Sequence, residues 1–281
     1  MRNHFTYRYC RALCFLFFGL LAFLIAHSSA QQRQEATSAD DAKLKAAICP
    51  IVYPSDESPG NKGYRYTFFG NAFFINSQGY LVTAAHVLQT FRDMGQPYIL
   101  VDRPNAPAQT LKANIIAIDW IHDVAILRAV PNPFENHFRV AFLPLAAKRV
   151  EPGDAIVASA LHPANIRNAS TYQIPVQDWS SAQVLGTVQT HEEPNLPETD
   201  LFLFTHEVQK GQSGSPVLLA ATREVTGLVD GRWLRPSSFS LPGTNGARAV
   251  PYSGPLGAAV PIDYLLELLR KNSVTWTTAR K

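Results

Sequence analysis

The chain has 281 residues, of which 46% are hydrophobic and 17% are charged. This composition supports a sizeable buried core and excludes a disordered chain or a coiled coil. The first thirty residues carry three arginines and no acid, and without them 22 basic residues face 22 acidic ones. Such a neutral remainder gives no electrostatic reason to expect nucleic acid as a partner.

The N-terminus has the pattern of a secretory signal. Its three arginines precede the apolar run Ala12–Ala26, which is shorter than the about 20 residues needed to span a bilayer. Small residues follow at Ser28 and Ala30, the two positions that a signal peptidase inspects. We therefore expect residues 1–30 to be removed and the mature protein to be secreted or periplasmic, without stable membrane insertion. An uncleaved membrane anchor is the alternative.

The segment after the signal is polar. Residues 31–43 lack hydrophobic periodicity and are predicted to form a flexible leader. Cys10 and Cys14 lie within the signal, so Cys49 is the single cysteine of the mature chain and excludes an internal disulfide. Its apolar neighbours predict a thiol buried in a first strand.

From Leu44 onward, short β-rich runs are separated by glycine, proline and asparagine. About a dozen such runs without long helices between them predict barrels or a sandwich built only from strands. One helix is expected near the end, with Asp263 as its capping residue and bases in its last turn. Residues 231–257 are rich in Pro, Gly and Ser and are predicted to be a surface loop. The runs are 64–69, 72–76, 80–84, 98–101, 114–118, 124–127, 155–160, 183–188, 201–205, 216–219, 225–229 and 257–260.

Three segments carry chemistry, in a fixed order along the chain. Tyr80–His86 is a β-run that delivers a histidine, Asp123 stands at the head of an apolar run, and Gly211-Gln-Ser-Gly-Ser-Pro216 brackets a serine with glycines. A serine hydroxyl needs a neighbouring imidazole to remove its proton, and the imidazole needs a carboxylate to fix its tautomer. We therefore predict a catalytic triad of His86, Asp123 and Ser213.

The glycines of the serine segment have a separate task. Gly211 lets the backbone turn so that its own N–H and that of Ser213 converge on a developing oxyanion. The distances along the chain leave room for one barrel with His86 and Asp123, expected over residues 44–150. A second barrel with Ser213 and the terminal helix is expected over 151–271, followed by a tail at 272–281. No metal or other cofactor is implied, because no cluster of His, Cys or acidic residues has metal-ligand spacing and no phosphate loop is present.

These segments resemble the trypsin-like peptidases of bacterial type. Thr83-Ala-Ala-His86, Asp123-Val-Ala-Ile-Leu127 and Gly211-Gln-Ser-Gly-Ser-Pro-Val217 match the histidine, aspartate and serine motifs of that family. The layout is similar to the protease domain of the HtrA/DegP-like family and to glutamyl endopeptidases. The resemblance implies a chymotrypsin-like fold of two antiparallel six-stranded β-barrels with a C-terminal helix, without the PDZ domain that HtrA proteins carry.

Two positions depart from relatives of this kind. Gln212 stands where pancreatic-type enzymes place an aspartate that pairs with a newly cut N-terminus, so activation by that ion pair is not expected. Val229 stands where glutamyl endopeptidases place a histidine that meets the substrate carboxylate. The resemblance therefore implies a primary pocket with Leu228 and Val229 on its wall, for small or medium apolar side chains. Glu207 is the alternative, as a residue that would select a basic side chain.

Together these features predict a serine endopeptidase that hydrolyses protein or peptide substrates through an acyl-enzyme. Two alternatives remain. A protein of the same fold could bind a peptide without hydrolysing it, although such scaffolds usually lose at least one triad member and here all three are present. An esterase could use the same three residues.

Overall fold

The computed structural model describes residues 41–55, 65–104, 106–136, 138–161, 177–190, 197–234, 237–240, 249–252 and 255–278. The predicted signal at 1–30 and most of the predicted leader lie outside these residues. Residues 41–47 are helical, and the compact unit that holds all the strands begins at Leu44.

Six antiparallel strands close the first barrel, in the order β1-β2-β3-β6-β5-β4. β3 is buried at three of its four positions and β6 at five of its seven, so both contribute mainly to the interior. A 3₁₀ turn at Ala85–Leu88 and the short helix Phe91–Met94 connect β3 to β4. The strands are β1 Ile48–Ser55, β2 Arg65–Phe74, β3 Tyr80–Thr83, β4 Tyr98–Arg103, β5 Ala106–Asp119 and β6 Val124–Val130.

Six more antiparallel strands close the second barrel, in the order β10-β11-β14-β9-β8-β7. These are β7 Ala155–Leu161, β8 Gln177–Thr190, β9 Thr199–Phe204, β10 Pro216–Leu219, β11 Val225–Trp233 and β14 Leu256–Pro261. The two closed barrels confirm the predicted all-β, chymotrypsin-like class. Closure pairs every strand on both sides, which satisfies the backbone hydrogen bonds of a fold with few helices.

Residues 231–257 differ from the predicted surface loop. β11 continues to Trp233, and β12 (Ser237–Ser240) pairs antiparallel with β13 (Ala249–Tyr252) in a sheet of two strands. The pairing matches Phe239 with Val250, two residues that favour strands. The abundance of Pro, Gly and Ser favoured a loop and gave no indication of these short strands.

Three hydrophobic clusters form the core. One fills the first barrel around Phe74 and Leu127, and a second fills the second barrel around Phe202 and Phe204. The largest combines residues of both barrels, such as Val124 and Leu228, with the apolar face of the terminal helix. The barrels therefore share one continuous apolar contact. Cys49 lies in β1 as predicted, is buried, and has a raised pKa because burial penalises its thiolate.

The terminal helix, Ile262–Lys271, begins one residue before the predicted capping residue. Its N-cap is Pro261, which offers no side-chain bond, and the carboxylate of Asp263 instead accepts a hydrogen bond of 2.7 Å from Nε of Arg149. Arg149 also donates to Asp200 of β9 at 2.6 Å, and these hydrogen bonds, chiefly the one to Asp263, raise its pKa. The same arginine thus ties the helix to the second barrel. None of the helices in the described ranges has the length and apolar character to cross a membrane.

The two barrels come closest where β2 meets the predicted serine segment. The main-chain N–H of Asn71 donates to the carbonyl of Ser213 at 2.8 Å, and the hydroxyl of Thr83 donates to the carbonyl of Asn71 at 2.6 Å. A Cβ added at Gly214 would lie 2.2 Å from the Asn71 carbonyl oxygen and 2.4 Å from Oγ1 of Thr83. Gly214 also has φ of +78°, in the region that disfavours side chains. Only glycine fits this contact.

We expect Gly214→Ala to lower the free energy of unfolding by on the order of 4 kcal/mol or more, because backbone strain and overlap with the other barrel add together. Gly95→Ala is the matched control, since Gly95 has φ of +90° but nothing within 4 Å of an added Cβ. It should lose only about 1–3 kcal/mol, the cost of the backbone conformation alone. Urea unfolding of both variants measures the difference. Equal losses would mean that the barrels adjust freely at Gly214.

Candidate active site

His86 lies on the 3₁₀ turn that follows β3. Its backbone N–H donates to Oδ1 of Asp123 at 2.7 Å, and its ring Nδ1 lies 2.8 Å from Oδ2 of the same carboxylate. An ionised carboxylate accepts and does not donate, so in this pair Nδ1 of His86 is the donor and Oδ2 of Asp123 the acceptor. The Asp123 side chain is 2% exposed whereas that of His86 is 36% exposed, so the buried acid presents the imidazole to solvent.

Asp123 occupies a strained turn immediately before β6, with φ of +52°. The turn is fixed from one side by Asp119, whose Oδ1 accepts hydrogen bonds from the N–H groups of Ile121 and His122. The Nδ1 of His122 lies 2.7 Å from Oδ2 of Asp119, and its ring stacks on Tyr264 of the terminal helix at 4.0 Å. Partial burial acts to raise the pKa of Asp119, but the hydrogen bonds from His122 outweigh it and the pKa is lowered. An aspartate that stays ionised keeps this turn closed.

Ser213 lies on a tight turn between two glycines of positive φ, Gly211 at +97° and Gly214 at +78°. The N–H of Gly214 donates to the carbonyl of Val229 at 2.8 Å, which fixes the turn to β11. The Ser213 hydroxyl donates to the main-chain carbonyl of Asp230 at 2.9 Å. The structure thus brings His86 and Asp123 together, and it directs the hydroxyl of Ser213 at β11.

The N–H groups predicted to bind an oxyanion are open. Among the described residues, neither the Gly211 nor the Ser213 N–H donates a hydrogen bond to another group. Gln212 is buried between them, and its side-chain Oε1 accepts from the N–H of Gln209 at 2.8 Å. Its own N–H donates to the Gln209 carbonyl at 3.1 Å. Gln212 therefore closes the turn before the serine with neutral hydrogen bonds alone.

Asp230 is a part of the site that the sequence reasoning missed. Its carboxylate, the carboxylate of Asp123 and the ring of His86 have ligand atoms within 4.8 Å of one another. Such a group could hold a metal ion by distance alone, but Nδ1 of His86 and both oxygens of Asp123 are already joined by hydrogen bonds. The prediction that the site uses no metal stays a prediction. Asp230 ends the run Val225–Asp230, and no local pattern distinguishes it from an ordinary strand residue.

The three residues predicted to line the primary pocket differ in burial. Leu228 and Val229 lie on β11 with 0% and 1% exposure, in two different core clusters. Glu207 is about half exposed, and its carboxylate forms an ion pair of 2.9 Å with Arg232 of β11. Burial lowers the pKa of the adjacent His206, against the opposing effect of the Glu207 charge. The pocket assignments of all three residues stay predictions, and Arg232 was not foreseen.

A family model described as a trypsin-like peptidase domain matches residues 70–228, more than half of the chain. This range contains all three predicted triad residues. A search of curated proteins gave no match.

Solved structures with the same fold include Deg5, the Rv3671c protease and AlgW. Deg5 is 16% identical with a TM-score of 0.55, and the match covers 88% of this chain and 98% of that one. The active form of the Rv3671c protease from M. tuberculosis is 16% identical with a TM-score of 0.52, covering 85% and 86%. The HtrA-type protease AlgW, solved with a tripeptide, is 16% identical with a TM-score of 0.51, covering 83% and 62%. At this identity the likeness concerns the fold alone. Because the family model matches more than half of the chain, the chain belongs to the family of trypsin-like peptidase domains.

Proposed function

We propose that the chain is a serine endopeptidase in which His86, Asp123 and Ser213 act as a catalytic triad. The observation that carries this proposal is the pair of hydrogen bonds, 2.7 and 2.8 Å, by which a buried Asp123 holds both the backbone and the ring of His86. Residues 44–150 supply this pair and residues 151–271 supply the nucleophile. Proteins or peptides are the substrates, in line with the peptidase family.

The first half of the reaction forms the acyl-enzyme. The Ser213 hydroxyl turns from the Asp230 carbonyl toward Nε2 of His86, which takes its proton as Oγ attacks the carbonyl carbon of the scissile peptide bond. The oxygen that becomes negative is met by the N–H groups of Gly211 and Ser213, which have no other partner among the described residues. The C–N bond then breaks, and His86 passes its proton to the leaving amine.

The second half repeats these steps with water. His86 takes a proton from a water molecule, whose oxygen attacks the ester carbon, and returns the proton to Ser213 as the C–Oγ bond breaks. Asp123 stabilises the imidazolium in both halves. The Asp230 carboxylate lies close to this pair, with ligand atoms of the three residues within 4.8 Å of one another. All of these steps use groups of the chain itself.

The serine assignment is tested with a fluorophosphonate probe and a peptide substrate. Wild-type protein should be labelled on Ser213, and Ser213→Ala should lose labelling and on the order of 10⁶-fold in kcat because the nucleophile is gone. Ser215→Ala is the matched control in the same motif. The hydroxyl of Ser215 is buried, and among the described side chains it is one that has no hydrogen-bond partner. Its removal should leave labelling intact.

Three outcomes are informative. An unlabelled wild-type protein that still binds peptides would favour the protein that binds without hydrolysis. Turnover of esters without peptides would favour the esterase. Half the wild-type activity in Ser213→Ala would overturn the triad assignment itself.

For the primary pocket, the proposal is a preference for small or medium apolar side chains. Its support is the 2.9 Å ion pair with Arg232, which compensates the charge of Glu207. An acid paired in this way attracts a basic substrate side chain less strongly than an unpaired one. Leu228 and Val229 lie on β11, the same strand as Arg232, and their apolar side chains pack in the core.

Arg232→Ala should therefore release Glu207 and raise cleavage after Lys or Arg relative to apolar residues. Because both side chains are about half exposed, the expected change is up to about fivefold. The double variant with Glu207→Ala should return to the wild-type profile. A mixed peptide library, read at the residue before the scissile bond, measures this. An unchanged profile would place Glu207 outside the pocket, and dominant wild-type cleavage after Glu would refute the apolar preference.

For location, the proposal is export to the periplasm or the medium with cleavage after Ala30. Its support is the basic start, the apolar run Ala12–Ala26 and the small residues at the cleavage site. N-terminal sequencing of exported protein should read Gln31-Gln32. Ala30→Lys should block cleavage, because the peptidase requires a small residue there. A wild-type protein that begins at Met1 and stays with membranes would favour the anchor.

A further inference from the structure

Asn71 makes a second contact with the serine segment, through its side chain. Its Nδ2 donates a hydrogen bond of 3.0 Å to the carbonyl of Gly211, a residue 140 positions away in the sequence. The backbone N–H of Asn71 binds Ser213, as described above. One residue of the first barrel therefore holds the carbonyl groups on both sides of Gln212.

The orientation of the Asn71 amide follows from chemistry. A carbonyl oxygen accepts only, so the NH₂ group of Asn71 and not its Oδ1 must face Gly211. The side chain is fully buried, and Oδ1 is one of the buried atoms without a hydrogen-bond partner among the described residues. A buried oxygen without a hydrogen-bond partner destabilises the folded state. Stability alone does not favour an asparagine here.

The bond acts on the backbone that supplies the oxyanion donors. Gly211 has φ of +97°. The backbone torsion angles of this one residue set the direction of its N–H relative to that of its carbonyl. Gly211 has no side chain to restrict its rotation, so a hydrogen bond to its carbonyl is a direct way to hold the turn. The N–H groups of Gly211 and Ser213, which have no hydrogen-bond partner among the described residues, then keep a fixed direction.

We propose that Asn71 is a positioning residue that holds the Gly211–Ser213 turn in its oxyanion-binding conformation from the opposite barrel. The inference rests on the proposed peptidase function and deepens it. In this chain Gln212 offers no carboxylate for an N-terminal ammonium, and its side chain is engaged with Gln209. The hydrogen bond from Asn71 to Gly211 is a neutral contact. It restrains the turn that an ion pair at position 212 would otherwise restrain.

The test compares Asn71→Ala with Asn76→Ala. Both variants remove the side-chain amide of a buried asparagine, but only Asn71 donates to Gly211, whereas Asn76 donates to the carbonyl of Thr275 at 2.6 Å. We expect Asn71→Ala to lower kcat by about 10²-fold with KM little changed, since a misplaced oxyanion donor acts on the transition state. Asn76→Ala should lose stability but keep kcat within about threefold.

A second readout separates positioning from general damage. A peptide aldehyde forms a tetrahedral adduct with Ser213 that places an oxygen between the two N–H groups, whereas the corresponding peptide alcohol has no carbonyl carbon and forms no adduct. Asn71→Ala should weaken the aldehyde by about the same factor as kcat and leave the affinity of the peptide alcohol unchanged. If Asn71→Ala does not fold, Asn71→Ser serves instead, because its shorter hydroxyl cannot reach Gly211.

The results assign failure clearly. Equal losses of kcat in Asn71→Ala and Asn76→Ala, or an unchanged aldehyde affinity, would overturn the role of Asn71. A wild-type protein that neither turns over peptide nor reacts with the aldehyde would instead overturn the proposed function.

Discussion

The contact between β2 and the serine segment is the constraint on which the site depends. At Gly214 the backbones of two barrels approach so closely that a methyl group would overlap a carbonyl oxygen. Gly70 meets the same limit from the other side, because a Cβ there would lie 2.9 Å from the Ser213 carbonyl oxygen. The contact brings Thr83 and the serine turn together, and His86 follows Thr83 by three residues. Without this approach Ser213 and His86, which belong to different barrels, would lie apart.

The turn that carries Asp123 is stabilised by side-chain hydrogen bonds and ring contacts rather than by close approach of two backbones. Its turn has positive φ, and a hydrogen-bonded loop around Asp119 and His122 stabilises it. The ring of His122 stacks on the ring of Tyr264. The guanidinium of Arg149 lies over the same Tyr264 ring, 5.1 Å from its centroid. The terminal helix thus contacts the turn that carries the catalytic acid. A segment that chemistry does not use directly still contributes to where the carboxylate points.

The sequence predicted the barrels and the triad because these depend on local patterns. Alternating β-rich runs, a histidine after a strand and a serine between glycines are each readable within a few residues. Asn71, Asp230 and Arg232 could not be predicted in the same way. Each acts through a partner far along the chain, and the register that brings them together is set only when the barrels close. β12 and β13 were missed for a related reason. The composition of this segment favours a loop, but its backbone pairs to form two strands.

The shared apolar cluster has a consequence for how activity arises during synthesis. His86, Asp123 and Asn71 leave the ribosome first, whereas the nucleophile and its turn come from the second barrel. The cluster that joins the barrels is completed only by β14 and the terminal helix, near the last residues made. A nascent chain therefore holds His86 without Ser213 while residues 87–212 are made. Under the proposed function, the order of the segments delays hydrolysis until translation is nearly finished.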